Sequence, residues 1–322
     1  MAFHDSKMQY RQMGRSGLKL SLFSIGSWVT YGKQVDAART RTCLLEAYEH
    51  GVNYFDHAEA YAQGQAELTC GRVLAELRRE DLVISSKVFW GGQGPNDRGL
   101  GRKHVVEACH AALGRLQTDY LDLFFCHRPD PATPVEEIVR TMNRLIAQGK
   151  VLYWGTSEWS AAELQEAWLV ADRLGLEGPA VEQPQYNLFV RERVEVEYQP
   201  LYEQRGMGTT TWSPLLSGIL SGKYDHGIPE GTRLGVAGME WLQRELTEER
   251  REQVRRLAPL ATELGCSRAQ LALAWCARNP QVSTVITGAS RPGQVVENLG
   301  ALAVLDRMDQ EVLARIDAAL AG

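Results

Sequence analysis

Short apolar runs recur along the chain at regular intervals. Longer stretches separate them, and the apolar residues of those stretches fall on one helical face. The runs are Phe23–Ile25, Val52–Phe55, Leu82–Ser85, Leu121–Cys126, Val151–Gly155, Ala180–Gln183, Gly208–Trp212 and Thr284–Thr287. Several are too short to identify as strands singly, so their order is the signal. Between them lie Ala38–Glu49, Glu67–Arg78, Val105–Leu116, Val135–Ala147, Ala162–Leu174, Arg191–Gln204, Arg268–Arg278 and Gln294–Leu299. Val105, Cys109, Ala112, Leu113 and Leu116 share one face at helical spacing. Thr133-Pro134 ahead of Glu136 and Glu137 predicts a helix start: a capping hydroxyl, proline in the first position, acids in the first turn.

Eight strand–helix units predict an α/β fold with a parallel sheet and helices outside it. Eight is also the number that closes a (β/α)8 TIM barrel. Two segments stand outside the alternation. Met8–Leu20, glycine-rich around Gly14 and Gly17, predicts an N-terminal β-hairpin that plugs the barrel's N-terminal end. Ser213–Glu245 predicts a long loop on the C-terminal face, where barrel enzymes build their sites. The 322 residues exceed the ~250 typical of a barrel by about 70. These two segments and the tail from Ala301 take up the excess, so one domain over residues 1–322 is expected.

Composition narrows the function. The net charge of −5 and pI of about 5.9 give no strong basic field, so a nucleic-acid partner is not expected. Mean hydropathy is −0.28, and no apolar run approaches the ~20 residues of a membrane helix, so no membrane insertion is expected. Met1–Ser6 shows no apolar core with a small-residue cleavage site, so no secretory leader is expected. Six cysteines are scattered without a C-x-x-C pair. They read as free thiols of a cytoplasmic protein, with no metal site.

The chemistry is sought at the strand ends. Asp56 and Tyr61 follow the second run, Lys87 the third and His127 the fourth, so in a barrel all four converge on one face. Together they suit a carbonyl. A phenol of pKa ~10 is a poor acid at neutral pH, and a neighbouring Lys87 ammonium would lower it and make Tyr61 a better proton donor. Asp56 would hold the lysine's charge, and His127 would donate to the carbonyl oxygen. The plain alternative is an ion pair beside two aromatic core residues.

These residues sit in Asn53-Tyr54-Phe55-Asp56-x-Ala58-Glu59-x-Tyr61, Ser86-Lys87 and His127-Arg128-Pro129-Asp130-Pro131. The set resembles the aldo-keto reductase superfamily, and within it the branch of voltage-gated potassium-channel β-subunits and their bacterial relatives. Gly26–Gly32, Tyr153–Ser157, Thr211–Leu215, Ser221–Tyr224 and Gly288–Ser290 extend the likeness over almost the whole chain. The resemblance implies a (β/α)8 barrel, a catalytic tetrad of Asp56, Tyr61, Lys87 and His127, and an NADPH-dependent reductase of small aldehydes or ketones. It also suggests a ring-shaped homotetramer or another homo-oligomer. Channel-associated animal members carry asparagine at position 127, so His127 favours turnover over a purely regulatory role. Glu158 departs from the arginine of that branch and the asparagine of most reductases.

No G-x-G-x-x-G fingerprint follows the first strand, so a Rossmann site is unsupported. Gly218–Tyr224 is one residue short of a P-loop and lacks its Ser/Thr. Instead Gly288-Ala289-Ser290-Arg291 leads from the eighth strand into a helix, an anion site or an ordinary cap. By resemblance Ser290 and Gln294 meet the adenosine phosphate, and Glu297 and Asn298 hold the adenine. Lys223 and Arg233 meet the cofactor phosphates, and Ser157 and Gln183 the carboxamide. Trp212 stacks on the nicotinamide; Ser213, Pro214, Leu215, Ser217 and Gly218 line the path, with Trp28, Gln34, Asp56 and Gly288. Arg291 is a further candidate for a 2′-phosphate, or a solvated side chain. Trp28, Tyr31, Phe89, Trp90, Trp159 and Trp241 are candidate walls of a substrate cleft or core residues; Tyr61 and His127 complete the substrate contacts. Arg128 either meets an anionic substrate or pairs with Asp130. Two other functions stay open: an NADPH-binding regulatory subunit, and a lyase using Lys87 as a Schiff base.

Overall fold

Strands β1 (Tyr10–Gln12) and β2 (Lys19–Ser21) pair antiparallel as the expected hairpin. In the computed structural model, which describes residues 7–32, 34–236 and 240–321, this hairpin closes the barrel's lower end. Met13 and Leu20 are fully buried among the interior side chains Tyr54, Leu123, Phe125 and Val181. Gly14 lets the plug sit so close: at φ +54°, a Cβ there would lie 2.2 Å from the Gly206 carbonyl oxygen. Residues 1–6, where no leader was expected, lie outside the described residues.

The barrel strands are β3 (Phe23–Gly26), β4 (Tyr54–Asp56), β5 (Val83–Val88), β6 (Leu121–Cys126), β7 (Val151–Thr156), β8 (Val181–Glu182), β9 (Gly208–Thr211) and β10 (Thr284–Thr287). They run parallel in sequence order, and β10 pairs back onto β3 to close the ring. The fold is a (β/α)8 barrel. Successive strand residues face opposite sides. On the interior parity stand Tyr54 and Asp56, then Val83, Ser85 and Lys87, then Leu123, Phe125 and His127. On the other parity Phe55, Ile84 and Phe124 join the larger core between strands and helices. Each interior series is apolar near the plug and polar towards the C-terminal end, where the site lies.

The helices are α1 (Ala37–Glu49), α2 (Gln65–Leu74), α3 (Arg102–Leu116), α4 (Val135–Ala147), α5 (Ala161–Leu174), α6 (Gln199–Arg205), α7 (Glu248–Arg256), α8 (Ala258–Glu263), α9 (Arg268–Arg278), α10 (Pro292–Leu299) and α11 (Gln310–Ala321). The helix expected over Arg191–Gln204 is instead broken. A wide turn over Arg193–Glu197 precedes α6, because Pro200 lacks an N–H and belongs in a first turn. Thr133 does not cap α4: Pro134 holds the cap position, and the threonine hydroxyl donates to Asp130 at 2.7 Å. The long segment after β9 crosses the barrel mouth in short 3₁₀ turns; its residues 237–239 lie outside the described residues. No helix among the described residues is long and apolar enough to cross a membrane.

Candidate active site

Asp56 is the hub beneath the barrel mouth. It is 3% exposed, and its Oδ1 accepts from Ser85 Oγ at 2.9 Å, Tyr54 OH at 3.0 Å and Gln183 Nε2 at 3.1 Å. Its Oδ2 takes the Lys87 ammonium at 2.5 Å. Lys87 is fully buried and also donates to the His57 carbonyl at 2.8 Å and to Tyr61 OH at 3.1 Å. Burial alone pulls the ammonium's pKa down, but Asp56 and then Tyr61 outweigh it, and the value is raised. Lys87 therefore stays charged.

Tyr61 leaves the fold on a constrained turn. Ala62 and Gln63 adopt left-handed backbone angles (φ 49° and 54°), and Gly64 follows at 81° before α2. Left-handed residues other than glycine cost of order 1 kcal/mol or more each, so the surrounding packing holds this turn and with it the direction of the phenol. The lowering of the Tyr61 pKa expected from the neighbouring ammonium does not occur. Lys87 does favour the phenolate, but burial is the larger effect, and the Tyr61 pKa is raised rather than lowered. The phenol stays protonated through neutral pH.

His127 follows β6 and meets the Tyr61 ring edge-on, with centroids 5.8 Å apart. Burial, then Lys87 and Arg128, hold its pKa well below the usual range, so the imidazole is neutral. Its Nδ1 is buried with no hydrogen-bond partner among the described residues. A neutral imidazole carries one N–H, so it can donate a hydrogen bond without replacing Tyr61 as the acid.

Asp56, Tyr61 and His127 open onto a cleft of about 980 Å³, with Lys87 directly behind the phenol. Every residue expected to touch the cofactor lines this cleft, from Trp28 and Gln34 through Ser157, Gln183 and Trp212–Leu215 to Glu297 and Asn298. Trp28 meets Trp212 edge-on at 6.1 Å and Trp241 at 6.3 Å, so three indoles form one wall. Glu158 stands at φ 62° and accepts from Trp212 Nε1 at 2.9 Å and Gln185 N at 2.7 Å, while pairing with Arg193 at 2.5 Å. The residue that departs from the family thus fastens an indole of the cleft wall.

At the far end Ser217 and Gly218 turn through left-handed angles. A Cβ at Gly218 would lie 2.6 Å from Lys223 Nζ, so glycine lets the ammonium rest on the loop. Burial of the ammonium and the neighbouring Arg233 pull Lys223 down to about 8. Arg233 donates to Thr30 Oγ1 at 3.2 Å, and burial lowers its pKa too. Neither cation has a carboxylate partner among the described residues. Ser290 N and Oγ both donate to Gln294 Oε1, at 3.0 and 3.3 Å, and Asn298 donates to the Gly288 carbonyl at 3.3 Å. Arg291 is neither free nor enclosed: it forks onto Glu297 at 2.9 Å, with both side chains more than half exposed.

The aromatic expectations divide. Trp28, Trp90 and Trp241 line the cleft. Trp159 does not: it is 2% exposed and packed in the outer core. Tyr31 is buried likewise, and Phe89 packs on Trp90 away from the opening. Sequence reasoning overlooked Thr30, Ser267 and Gln270 on the cleft. Ser267-x-x-Gln270 is a capping-box pattern, and α9 starts with that box, so this pair was findable. Thr30 carries no such signal.

A model of the aldo/keto reductase family matches residues 23–321. The chain belongs to that family. It is 53% identical over 315 residues to a protein of Oryza sativa subsp. japonica named probable voltage-gated potassium channel subunit beta, covering 97% of this chain and 96% of that one. It is 52% identical over 314 residues to an Arabidopsis thaliana protein of the same name, covering 96% of each. The resemblance to the β-subunit branch, drawn from the strand-end motifs, agrees with both relatives.

Proposed function

We propose that this aldo/keto reductase reduces small aldehydes or ketones to alcohols with NADPH. The observation that carries the proposal is the Tyr61–Lys87–Asp56 hydrogen-bond chain ending at the floor of the cleft. A carbonyl oxygen beside Tyr61 and His127 would take a hydrogen bond from each. As charge grows on that oxygen the phenol passes it a proton, and the Lys87 ammonium, held by Asp56, stabilises the phenolate left behind. The surroundings fit a phosphorylated dinucleotide. Two cations without carboxylate partners among the described residues, Lys223 and Arg233, stand at the Ser217–Gly218 turn, and a helix N-terminus lies beside Ser290. Lys223, Arg233 and Ser290 would hold phosphates, Asn298 the adenine, and Trp212 the nicotinamide. The chemistry the dinucleotide supplies when bound is hydride donation to the carbonyl carbon. The segment from Ser213, bridged to the opposite rim through Arg233–Thr30 and Trp241–Trp28, would act as a clamp whose opening limits turnover.

The names of the plant relatives favour a second reading, an NADPH-binding subunit that reports redox state to a channel or other partner. Following NADPH consumption across a panel of aldehydes separates the two. Turnover supports the enzyme, and tight binding without turnover of any aldehyde supports the sensor.

A further inference from the structure

Arg128 is a half-buried cation on the cleft; Glu158 and Glu182 act on it through space, but no carboxylate among the described residues forms an ion pair with it. It follows His127, and its Nη1 donates to the His127 carbonyl at 2.5 Å and to Ser157 Oγ at 3.3 Å, both neutral acceptors. Asp130, the partner the sequence offered, is engaged elsewhere: it accepts from Leu100 N at 2.7 Å, Ala132 N at 3.0 Å and Thr133 Oγ1 at 2.7 Å. The Glu158 carboxylate is taken by Arg193 and Trp212. A guanidinium has five N–H donors in a planar fork. Here one nitrogen makes both bonds, and the rest of the fork has no partner among the described residues.

The position is specific. The guanidinium carbon lies 5.3 Å from the Trp90 ring centroid, and Trp90 meets His127 at 4.9 Å. Arg128, Trp90, His127 and Tyr61 all line the same opening. A strut for the β6 loop would need only the contact to the His127 carbonyl. It would not need a guanidinium laid over an indole with its free edge in the cleft.

We propose that Arg128 anchors an oxyanion on the substrate: the compound reduced is a small aldehyde or ketone bearing a carboxylate or phosphate a few bonds from its carbonyl. This rests on the reductase reading of the same site. With the carbonyl oxygen at Tyr61 and His127, the intervening carbons lie along the Trp90 ring and the anion meets the fork. Arginine suits that role because its fork matches both oxyanions in plane, and the contact strengthens where water is partly excluded.

The test compares 4-oxobutanoate with its methyl ester, and glyceraldehyde 3-phosphate with glyceraldehyde, in wild type, Arg128→Met and Arg128→Lys. Wild type is expected to prefer the charged member of at least one pair by roughly 10- to 100-fold in kcat/KM, mainly through KM, as a charge-assisted hydrogen bond would give. Arg128→Met brings the ratio to about one, and Arg128→Lys recovers part of it. Which pair responds identifies the oxyanion. Equal kcat/KM within both pairs in wild type overturns the proposal. A second readout needs no turnover. Succinate is titrated into protein saturated with NADP+, and tryptophan fluorescence is followed. A saturable change that weakens roughly tenfold or more in Arg128→Met supports the anchor; a titration that Arg128→Met leaves unmoved overturns it. If no carbonyl compound is turned over, the reductase reading falls alone and the succinate titration still decides the anion site.

Discussion

Removing the Lys87 charge together with its partner should destabilise the fold by less than the two separate losses summed. Lys87→Met keeps the length of the side chain and deletes three donated contacts, to Asp56, His57 and Tyr61. It strands Oδ2 of a carboxylate that is 3% exposed. Breaking one side of a buried pair costs about 3–5 kcal/mol. Asp56 keeps three donors on Oδ1, which puts the expected loss near the lower end, about 3 kcal/mol. Asp56→Asn leaves the Lys87 ammonium with two neutral oxygens, and a similar loss of about 3 kcal/mol is expected. In the double variant neither charge is stranded. Its loss should therefore fall short of the sum of the single losses by about 2 kcal/mol or more, well outside the ~0.5 kcal/mol scatter of independent sites. Urea unfolding followed by circular dichroism, with the slopes checked for agreement among the four proteins, gives the four free energies. Losses that add to within that scatter would mean that Lys87 and Asp56 do not act as a pair.

Three further outcomes follow from the same geometry. Dinucleotide affinity should fall as pH rises through about 8, because phosphate needs the charged form of Lys223; a Kd that rises with pH identically in Lys223→Ala would remove that lysine from the site. Burial holds His57 down to about 4, against ~6.5 unfolded. Its contribution is present above the unfolded value and is lost as pH falls towards about 4, by about 3 kcal/mol. His57→Gln should flatten the stability profile across that window, and an unchanged slope would contradict the assignment. Arg291→Ala should reduce the preference for NADPH over NADH only a few-fold, since Glu297 already occupies part of the fork on an exposed surface. An unchanged ratio of Kd values removes Arg291 from the 2′-phosphate.

The barrel was legible because its signal is repetitive: eight weak runs in order identify what no single run could. β8 has two residues, Val181–Glu182, and would not be recognised alone. The tetrad was legible because strand parity and strand ends are properties of sequence. Asp56, Lys87 and His127 fall on the interior parity by counting twos from Tyr54, Val83 and Leu123. What escaped was anything set by distant packing. Trp159 looked like Trp90, each an indole shortly after a strand, yet one packs in the outer core and the other lines the cleft. The net direction of the Tyr61 pKa escaped for the same reason. The sequence offers the neighbouring ammonium, whereas the extent of burial belongs to the folded chain. Arg128 illustrates the converse: two partners were open in sequence, and the hydrogen bonds of Asp130 removed one.

In the proposed reduction Tyr61 passes a proton to a bound carbonyl while the cofactor is held by other residues. Single-turnover mixing of NADPH-loaded protein with an excess of aldehyde, in wild type and Tyr61→Phe, tests it most directly, with NADPH binding measured by tryptophan fluorescence on the same samples. Rapid NADPH oxidation is expected in wild type, with its loss by about two orders of magnitude or more in Tyr61→Phe and the Kd for NADPH little changed. Oxidation that persists in Tyr61→Phe, or wild-type protein that binds NADPH and oxidises none, would contradict that role of Tyr61.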